Sequence, residues 1–246
     1  MQKAIFNIQN ETDFERCALQ VFKYQFQNNK VYRSFCDLLY IHPSDVKEVN
    51  QIPFLPIQFF KTHQVLSTNQ SVQETFTSSG TTGAQVSKHL VADLSWYETS
   101  YTRAFEHFYG SVEDYTVLGL LPNYLEREGS SLIYMVNDFI QKSNNPKSGF
   151  YLDTLSELTK TLIALDQKGE KVLLIGVTFA LLDLIESQTF SLKNTVIMET
   201  GGMKGRRKEM IREELHEILA AGFGVSKIHS EYGMTELLSQ GYSSGD

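Results

Sequence analysis

The stretch from Lys171 to Met198 decides the fold, because it contains an apolar segment, a helix-like segment and a second apolar segment in turn. Residues 171–175 read KVLLI, residues 178–187 read TFALLDLIES and residues 195–198 read TVIM. The short apolar runs predict strands, whereas the longer run between them predicts a helix. Strands that alternate with helices predict an α/β fold with a mostly parallel sheet flanked by helices.

The same alternation continues on both sides of this stretch. Further helices are predicted over residues 95–108, 155–166 and 206–221, and another helix is predicted to end near residue 141. Further strands are predicted over residues 115–121 and 227–230. In sheets of this kind, ligands bind beyond the carboxyl ends of the strands. The loops that follow strands are therefore the first places to look for a functional site.

The N-terminal part is helical rather than alternating. Phe14, Cys17, Val21 and Phe22 recur at three- and four-residue spacing, which is typical of a helix with one buried face. We therefore expect an N-terminal helical region over 1–62 that packs on an α/β core over 63–246.

Composition and charge exclude several classes of protein. The 246 residues carry a formal net charge of −7, which argues against a nucleic-acid partner because phosphate backbones require a basic surface. No secretory signal follows Met1, and the longest apolar stretch, Val172 to Leu182, is too short for a membrane span. Cys17 and Cys36 lie in helix-like apolar patterns, so we expect buried thiols, no disulfide framework and a cytoplasmic location.

A loop of small residues is the first candidate functional motif. Residues 77–83 read TSSGTTG, and Lys88 follows five residues later. Such residues let backbone N–H groups and hydroxyls turn toward an anion, although the same composition suits a flexible linker. The loop is not a Walker A motif, because no Gly-Lys-Ser/Thr closes it. Val65-Leu66 before the loop and residues 89–91 after it predict short flanking strands.

Two further loops follow predicted strands. Residues 199–205 read ETGGMKG, and their glycines would admit a flat ligand or an anion at the start of the next helix. Residues 231–236 read EYGMTE and offer an aromatic face, a hydroxyl and a carboxylate suited to Mg²⁺. Each is also compatible with an ordinary turn. Three histidines flank these motifs, namely His63, His89 and His229, and His229 lies nearest to Tyr232 in the sequence. A lone histidine near the end of a strand is more often a packing residue than a ligand.

The order of the three loops resembles the adenylate-forming superfamily of acyl- and aryl-CoA ligases, luciferases and peptide-synthetase adenylation domains. The TGGMKGR stretch over 200–206 and the small size look closest to the acyl-protein synthetase branch, which contains the synthetase subunit of the bacterial bioluminescence fatty acid reductase. The resemblance extends from Thr77 to Glu236, about two-thirds of the chain. It implies that residues 63–246 form an α/β nucleotide-binding core, the N-terminal large-domain part of an adenylate-forming enzyme.

The resemblance also implies which residues bind ATP. The residues that would wrap the phosphates are Ser78, Ser79, Gly80, Thr81, Thr82 and Gly83. Gly201 and Gly202 would line the adenine pocket. Tyr232, followed by Gly233, would stack on the base.

The catalytic residues implied in the same way are Thr235, Glu236 and Lys88. Thr235 would contact the α-phosphate and Glu236 would bind Mg²⁺, so ATP and Mg²⁺ are the expected cofactors. The superfamily loop usually closes as Gly-x-Pro-Lys, whereas the segment from Gly83 to Lys88 is longer and has no proline. Lys88 is therefore either a phosphate contact or a surface lysine.

The function implied is ATP-dependent activation of a carboxylic acid, of the fatty acyl type, to an acyl-adenylate, followed by transfer to a thiol. The expected partners are the acid, a thiol acceptor (a protein cysteine or CoA) and a partner enzyme, with no nucleic acid and no membrane span. The superfamily's C-terminal catalytic lysine lies further downstream than the ten residues after Glu236, so we expect a C-terminal catalytic subdomain outside this chain. The alternatives are an aryl-CoA ligase of the phenylacetate type and a non-catalytic nucleotide-binding module.

Overall fold

A computed structural model of the chain describes residues 2–68, 70–78, 85–122, 129–201 and 210–245. The chain divides into two compact units. The first comprises Met1–Ser100 and Met234–Leu238, and the second comprises Tyr101–Gly233 and Ser239–Asp246. The predicted helical region 1–62 lies within the first unit, and the predicted division at 62–63 stays a prediction.

The first unit combines helices with a two-stranded antiparallel sheet. Its elements are α1 (Gln2–Ile5), α2 (Glu11–Asn28), α3 (Lys30–Leu38), α4 (Phe59–Thr62), β1 (Glu74–Thr77) and β2 (Lys88–Val91), with a 3₁₀ turn over Val49–Gln51. Helix α5 (Ser95–Tyr109) begins in this unit and ends in the second.

Helices α2 and α3 surround the apolar core of the first unit. Helix α2 begins after Asn10, whose side chain accepts a hydrogen bond from the backbone N–H of Asp13 (2.9 Å), and such a cap satisfies a helix N–H that has no partner within the helix. The core includes Phe22, Phe26 and Cys36. Cys36 and Cys17 are both free and buried, as predicted.

The second unit is built on a six-stranded sheet. Its elements are β3 (Thr116–Leu120), α6 (Ser131–Lys142), β4 (Gly149–Phe150), α7 (Leu155–Gln167), β5 (Val172–Gly176), α8 (Thr178–Ser187), β6 (Thr195–Glu199), α9 (Arg212–Phe223), β7 (His229–Gly233) and β8 (Gln240–Ser243), with a 3₁₀ turn over Val112–Asp114. The strand order is β4-β3-β5-β6-β7-β8, and the strands are parallel except for β8. The predicted α/β class with a mostly parallel sheet is confirmed.

The centre of this sheet explains why its strands were predictable. Every residue of β3 and of β5 is buried, which is expected for parallel strands covered by helices on both faces. Such strands appear in a sequence as continuous apolar runs.

Among the residues described, none of the helices combines the length and apolar character needed to cross a bilayer.

The prediction for the strand before the small-residue loop was wrong. The strand is β1 (Glu74–Thr77), whereas Val65 and Leu66 lie in irregular chain. Phe76 is the buried residue of β1 and packs edge-on against Tyr97 at 5.4 Å between ring centroids. The packing of Phe76 and the pairing of β1 with β2 therefore determine where the strand forms, rather than the local apolar pair Val65-Leu66.

Candidate functional site

The small-residue loop leaves β1 and returns into β2 of the first unit. Two hydrogen bonds connect Ser78 with Ser87 next to these strands. The Ser78 N–H donates to the Ser87 carbonyl (3.1 Å), and the Ser78 hydroxyl accepts from the Ser87 N–H (2.9 Å). Ser79, Gly80, Thr81, Thr82 and Gly83 lie outside the described residues. The predicted phosphate contacts therefore stay predictions, and Ser78 pairs with Ser87 next to the strands β1 and β2.

Lys88 begins β2, directly opposite Thr77 in the antiparallel register. Its side chain is exposed. The phosphate contact expected of Lys88 stays a prediction.

Thr235 is connected to β2 by a histidine. The turn at Met234 is closed by a hydrogen bond from the Leu237 N–H to the Met234 carbonyl (3.0 Å). Within it, the Thr235 carbonyl lies 2.9 Å from Nδ1 of His89. A carbonyl only accepts, so Nδ1 carries the proton and donates. His89 is thereby identified as a residue of the candidate site that sequence reasoning did not select.

The environment of His89 favours its neutral form. Burial lowers the pKa of the imidazole, and this effect outweighs the opposing influence of the Thr235 carbonyl and the Glu236 carboxylate. The ring also packs edge-on against Phe60, with centroids 5.4 Å apart. A neutral ring with Nδ1 protonated has an unprotonated Nε2, which could accept a hydrogen bond from a ligand. The signal available in the sequence was only that His89 follows the small-residue loop.

Glu236 is half-buried and lies within this turn. No cluster of three or more His, Cys, Asp or Glu side chains suited to a metal ion occurs in the described part of the chain. Mg²⁺ is commonly bound through one or two carboxylates, with water and substrate phosphates completing its coordination. A single carboxylate at Glu236 is therefore compatible with Mg²⁺ that arrives together with a nucleotide.

The second unit brings Gly201 and Tyr232 to neighbouring strand ends. Strands β6 and β7 are parallel, with Glu199 opposite Ser230. Gly201 follows β6 in a left-handed conformation, with φ of 73°, which glycine adopts at little cost. Tyr232 lies at the end of β7, and its side chain is 67% exposed. The two predicted adenine contacts thus share one edge of the sheet, whereas Gly202 lies outside the described residues.

Glu199 holds the turn that contains Gly201. Its Oε2 accepts a hydrogen bond from the Gly201 N–H (2.6 Å), and the Thr178 hydroxyl is 3.4 Å away. Its Oε1 lies 3.7 Å from Nε2 of His216 on α9. This buried carboxylate therefore fixes the backbone beside the predicted adenine pocket, a role that its place in the ETGG motif did not indicate.

His229 is a packing residue. It is buried, and its Nδ1 lies 3.1 Å from the Tyr109 hydroxyl. Burial, together with Lys227 and His216, lowers its pKa to about 4. It is therefore neutral at physiological pH, and the packing role expected of a lone histidine at this point fits its contacts.

Two comparisons with known proteins bear on the class of this chain. Residues 4–103 match the family described as "Acyl-protein synthetase, LuxE". This segment includes the small-residue loop, Lys88 and His89.

A curated relative points in the same direction. The chain is 36% identical over 69 residues to the long-chain-fatty-acid–luciferin-component ligase of Vibrio harveyi. The matched segment is 28% of this chain and 18% of the relative's length. Both comparisons support similarity to the acyl-protein synthetase branch, and the second spans less than a fifth of the relative.

Proposed function

We propose that this chain belongs to an adenylate-forming enzyme that activates a fatty acid with ATP and passes the acyl group to a thiol. The observation that carries the proposal is the match of residues 4–103 to the acyl-protein synthetase family. The relative's name supports a long-chain fatty acid as substrate. The turns at Gly201 and Tyr232, at one edge of the parallel sheet, support a nucleotide as the second ligand.

In the proposed reaction, an oxygen of the fatty acid carboxylate attacks the α-phosphorus of ATP and pyrophosphate leaves. A thiol then attacks the acyl carbonyl, and AMP leaves as the thioester forms. Negative charge develops on the phosphate during the first step, and fixed donors stabilise it most effectively where water is excluded. No side-chain nucleophile is needed for adenylation, so positioning of the two substrates is the main contribution of the protein.

Individual residues have defined places in this proposal. Tyr232 stacks on the base, and Gly201 lets the backbone approach it. Thr235 contacts the α-phosphate, and His89 holds Thr235 in place by donating a hydrogen bond to the Thr235 carbonyl. Mg²⁺, held by Glu236, supplies charge neutralisation for the phosphates when bound.

Acid-dependent exchange of pyrophosphate into ATP tests the proposal. Exchange with long-chain fatty acids and none with aryl acids is the expected result. Exchange with aryl acids alone would instead favour the phenylacetate-type ligase. Binding of Mg²⁺-ATP without exchange for any acid would favour a non-catalytic nucleotide-binding module, and the absence of both would contradict the proposal.

A further inference from the structure

Glu231 occupies a buried position that the proposed chemistry does not use. It lies in the middle of β7 and is 6% exposed. Its Oε1 meets no hydrogen-bond donor among the residues that the structure describes. An ionised carboxylate in this place would be a buried and uncompensated charge, which is far less favourable than the neutral acid.

The face of the sheet on which Glu231 lies is aromatic. Side chains alternate along a strand, so Glu231 shares its face with His229. His229 contacts the Tyr109 hydroxyl on this face, and the antiparallel partner of Glu231 is Tyr242 of β8. His229 has its pKa lowered to about 4 and so supplies no positive charge at neutral pH.

Charged groups of β6 and α9 lie toward the opposite face. Ser230 points there and accepts a hydrogen bond from Arg212 of α9 (3.2 Å), with Nε2 of His216 at 3.4 Å. His216 in turn lies 3.7 Å from Glu199 of β6. Burial, and secondarily the negative charge of Glu199, raise the pKa of Glu231 to about 8.

Glu231 also lies where β7 loses one of its two neighbours. Parallel pairing with β6 reaches only to Ser230, whereas antiparallel pairing with β8 continues to Gly233. The strand end that presents Tyr232 is therefore held by β8 and by the buried side chain of Glu231.

We propose that Glu231 is a positioning residue that acts as a neutral acid. With its proton, it keeps the end of β7 buried and paired and so fixes Tyr232. When it loses that proton to solvent, the carboxylate draws the strand end toward water and Tyr232 is displaced. The effect on the nucleotide rests on the proposed function, whereas the protonation of Glu231 is independent of it.

Direct titration tests the protonation in the unmodified chain. We expect the side-chain carboxyl carbon of Glu231, followed by carbon-13 NMR with sequential assignment, to titrate near pH 8. The ordinary value for a glutamate is 4.5. A midpoint near 4.5 would overturn the inference, and this experiment does not depend on any variant folding.

The pH dependence of unfolding provides a second test. Glu231→Gln keeps a neutral side chain of the same shape, and Glu217→Gln, at an exposed position of α9, is the matched control for loss of one negative charge. Between pH 6 and 7.5, we expect the unfolding equilibrium constant of the natural chain to rise relative to Glu231→Gln by up to about tenfold per pH unit. Glu217→Gln should follow the natural chain. Equal pH dependence in the natural chain and Glu231→Gln would overturn the inference.

The positioning role is tested by the affinity for Mg²⁺-ATP at pH 7 and pH 9. We expect the Kd of the natural chain to rise several-fold at pH 9 and that of Glu231→Gln to change much less. A pH-independent Kd in the natural chain would overturn the positioning role. Absence of ATP binding at both pH values would contradict the proposed function and the positioning role. The protonation state of Glu231 would still be decided by the titration, because that experiment does not involve ATP.

Discussion

At the residue scale, His89 is the side chain whose replacement tests the candidate site most directly. His89→Leu removes the donor to the Thr235 carbonyl (2.9 Å). We expect a loss of about 1–3 kcal/mol in the free energy of unfolding, because a partly buried acceptor is left without its partner, together with reduced pyrophosphate exchange. Urea unfolding followed by the fluorescence of Trp96, the single tryptophan, reports on the same unit.

The matched control for this change is His89→Asn. Its amide nitrogen takes a place similar to that of Nδ1 and can still donate, so both stability and exchange should lie closer to those of the natural chain. If His89→Leu were as stable and as active as the natural chain, the hydrogen bond would have no part in holding Thr235.

Glu236 is the residue whose replacement tests the metal. Glu236→Gln should raise the Mg²⁺ concentration needed for half-maximal exchange by at least about tenfold, the scale of losses found when groups around a metal site are removed. Its unfolding should change little, because the side chain is only half-buried. Glu15→Gln, at an exposed position of α2 in the same unit, controls for the loss of charge. Unchanged Mg²⁺ dependence in Glu236→Gln would remove Glu236 from the metal site.

At the element scale, one buried carboxylate connects the end of α7 with the start of β6. Asp166 accepts hydrogen bonds from the backbone N–H groups of Lys193 (2.9 Å) and Asn194 (2.7 Å) and from the Thr195 hydroxyl (3.0 Å). Asp166→Ala leaves these donors unpaired, and we expect a loss of about 2–3 kcal/mol in the free energy of unfolding. Circular dichroism during urea unfolding measures the loss.

Two comparisons make the Asp166 prediction specific. Asp166→Asn keeps one acceptor and should lose less than Asp166→Ala. Asp153→Asn, at an exposed position, should be close to neutral. Equal stability of Asp166→Ala and Asp153→Asn would show that the connection contributes nothing to the sheet.

Strands differ in how far they could be predicted. Strand β5 is buried along its whole length, so its sequence is a continuous apolar run that predicts a strand without further information. Strand β1 is buried only at Phe76, and its other residues carry no such pattern. Its position follows from pairing with β2, which a local pattern does not contain.

At the scale of the whole molecule, two buried groups give the second unit a characteristic pH profile. The pKa of His229 is lowered from 6.5 to about 4, so the folded state binds fewer protons than the unfolded state in that range and stability falls as the pH falls from 6.5 to 4. The pKa of Glu231 is raised from 4.5 to about 8, so stability falls as the pH rises from 4.5 to 8. From these two groups, we expect a plateau between about pH 4.5 and 6.5.

Hydrogen exchange of peptides from β7, measured from pH 4 to pH 9 and corrected for intrinsic rates, follows this profile within the second unit. His229→Gln should remove most of the decline on the acidic side, and Glu231→Gln most of the decline on the basic side. A natural chain whose corrected protection was constant across this range would contradict both assignments.

Local composition was sufficient for the α/β class, the helices around the central strands and the motifs that resemble an adenylate-forming enzyme. The reason is that buried parallel strands require apolar runs, and that loops after strands can be recognised by their glycines and small polar residues. Only tertiary structure decided which polar groups meet. His89 contacts Thr235 across 146 positions of sequence, and Glu231 is buried while the adjacent Tyr232 is exposed. Such contacts depend on strand register and on what covers each face, which neighbouring residues in the chain do not encode.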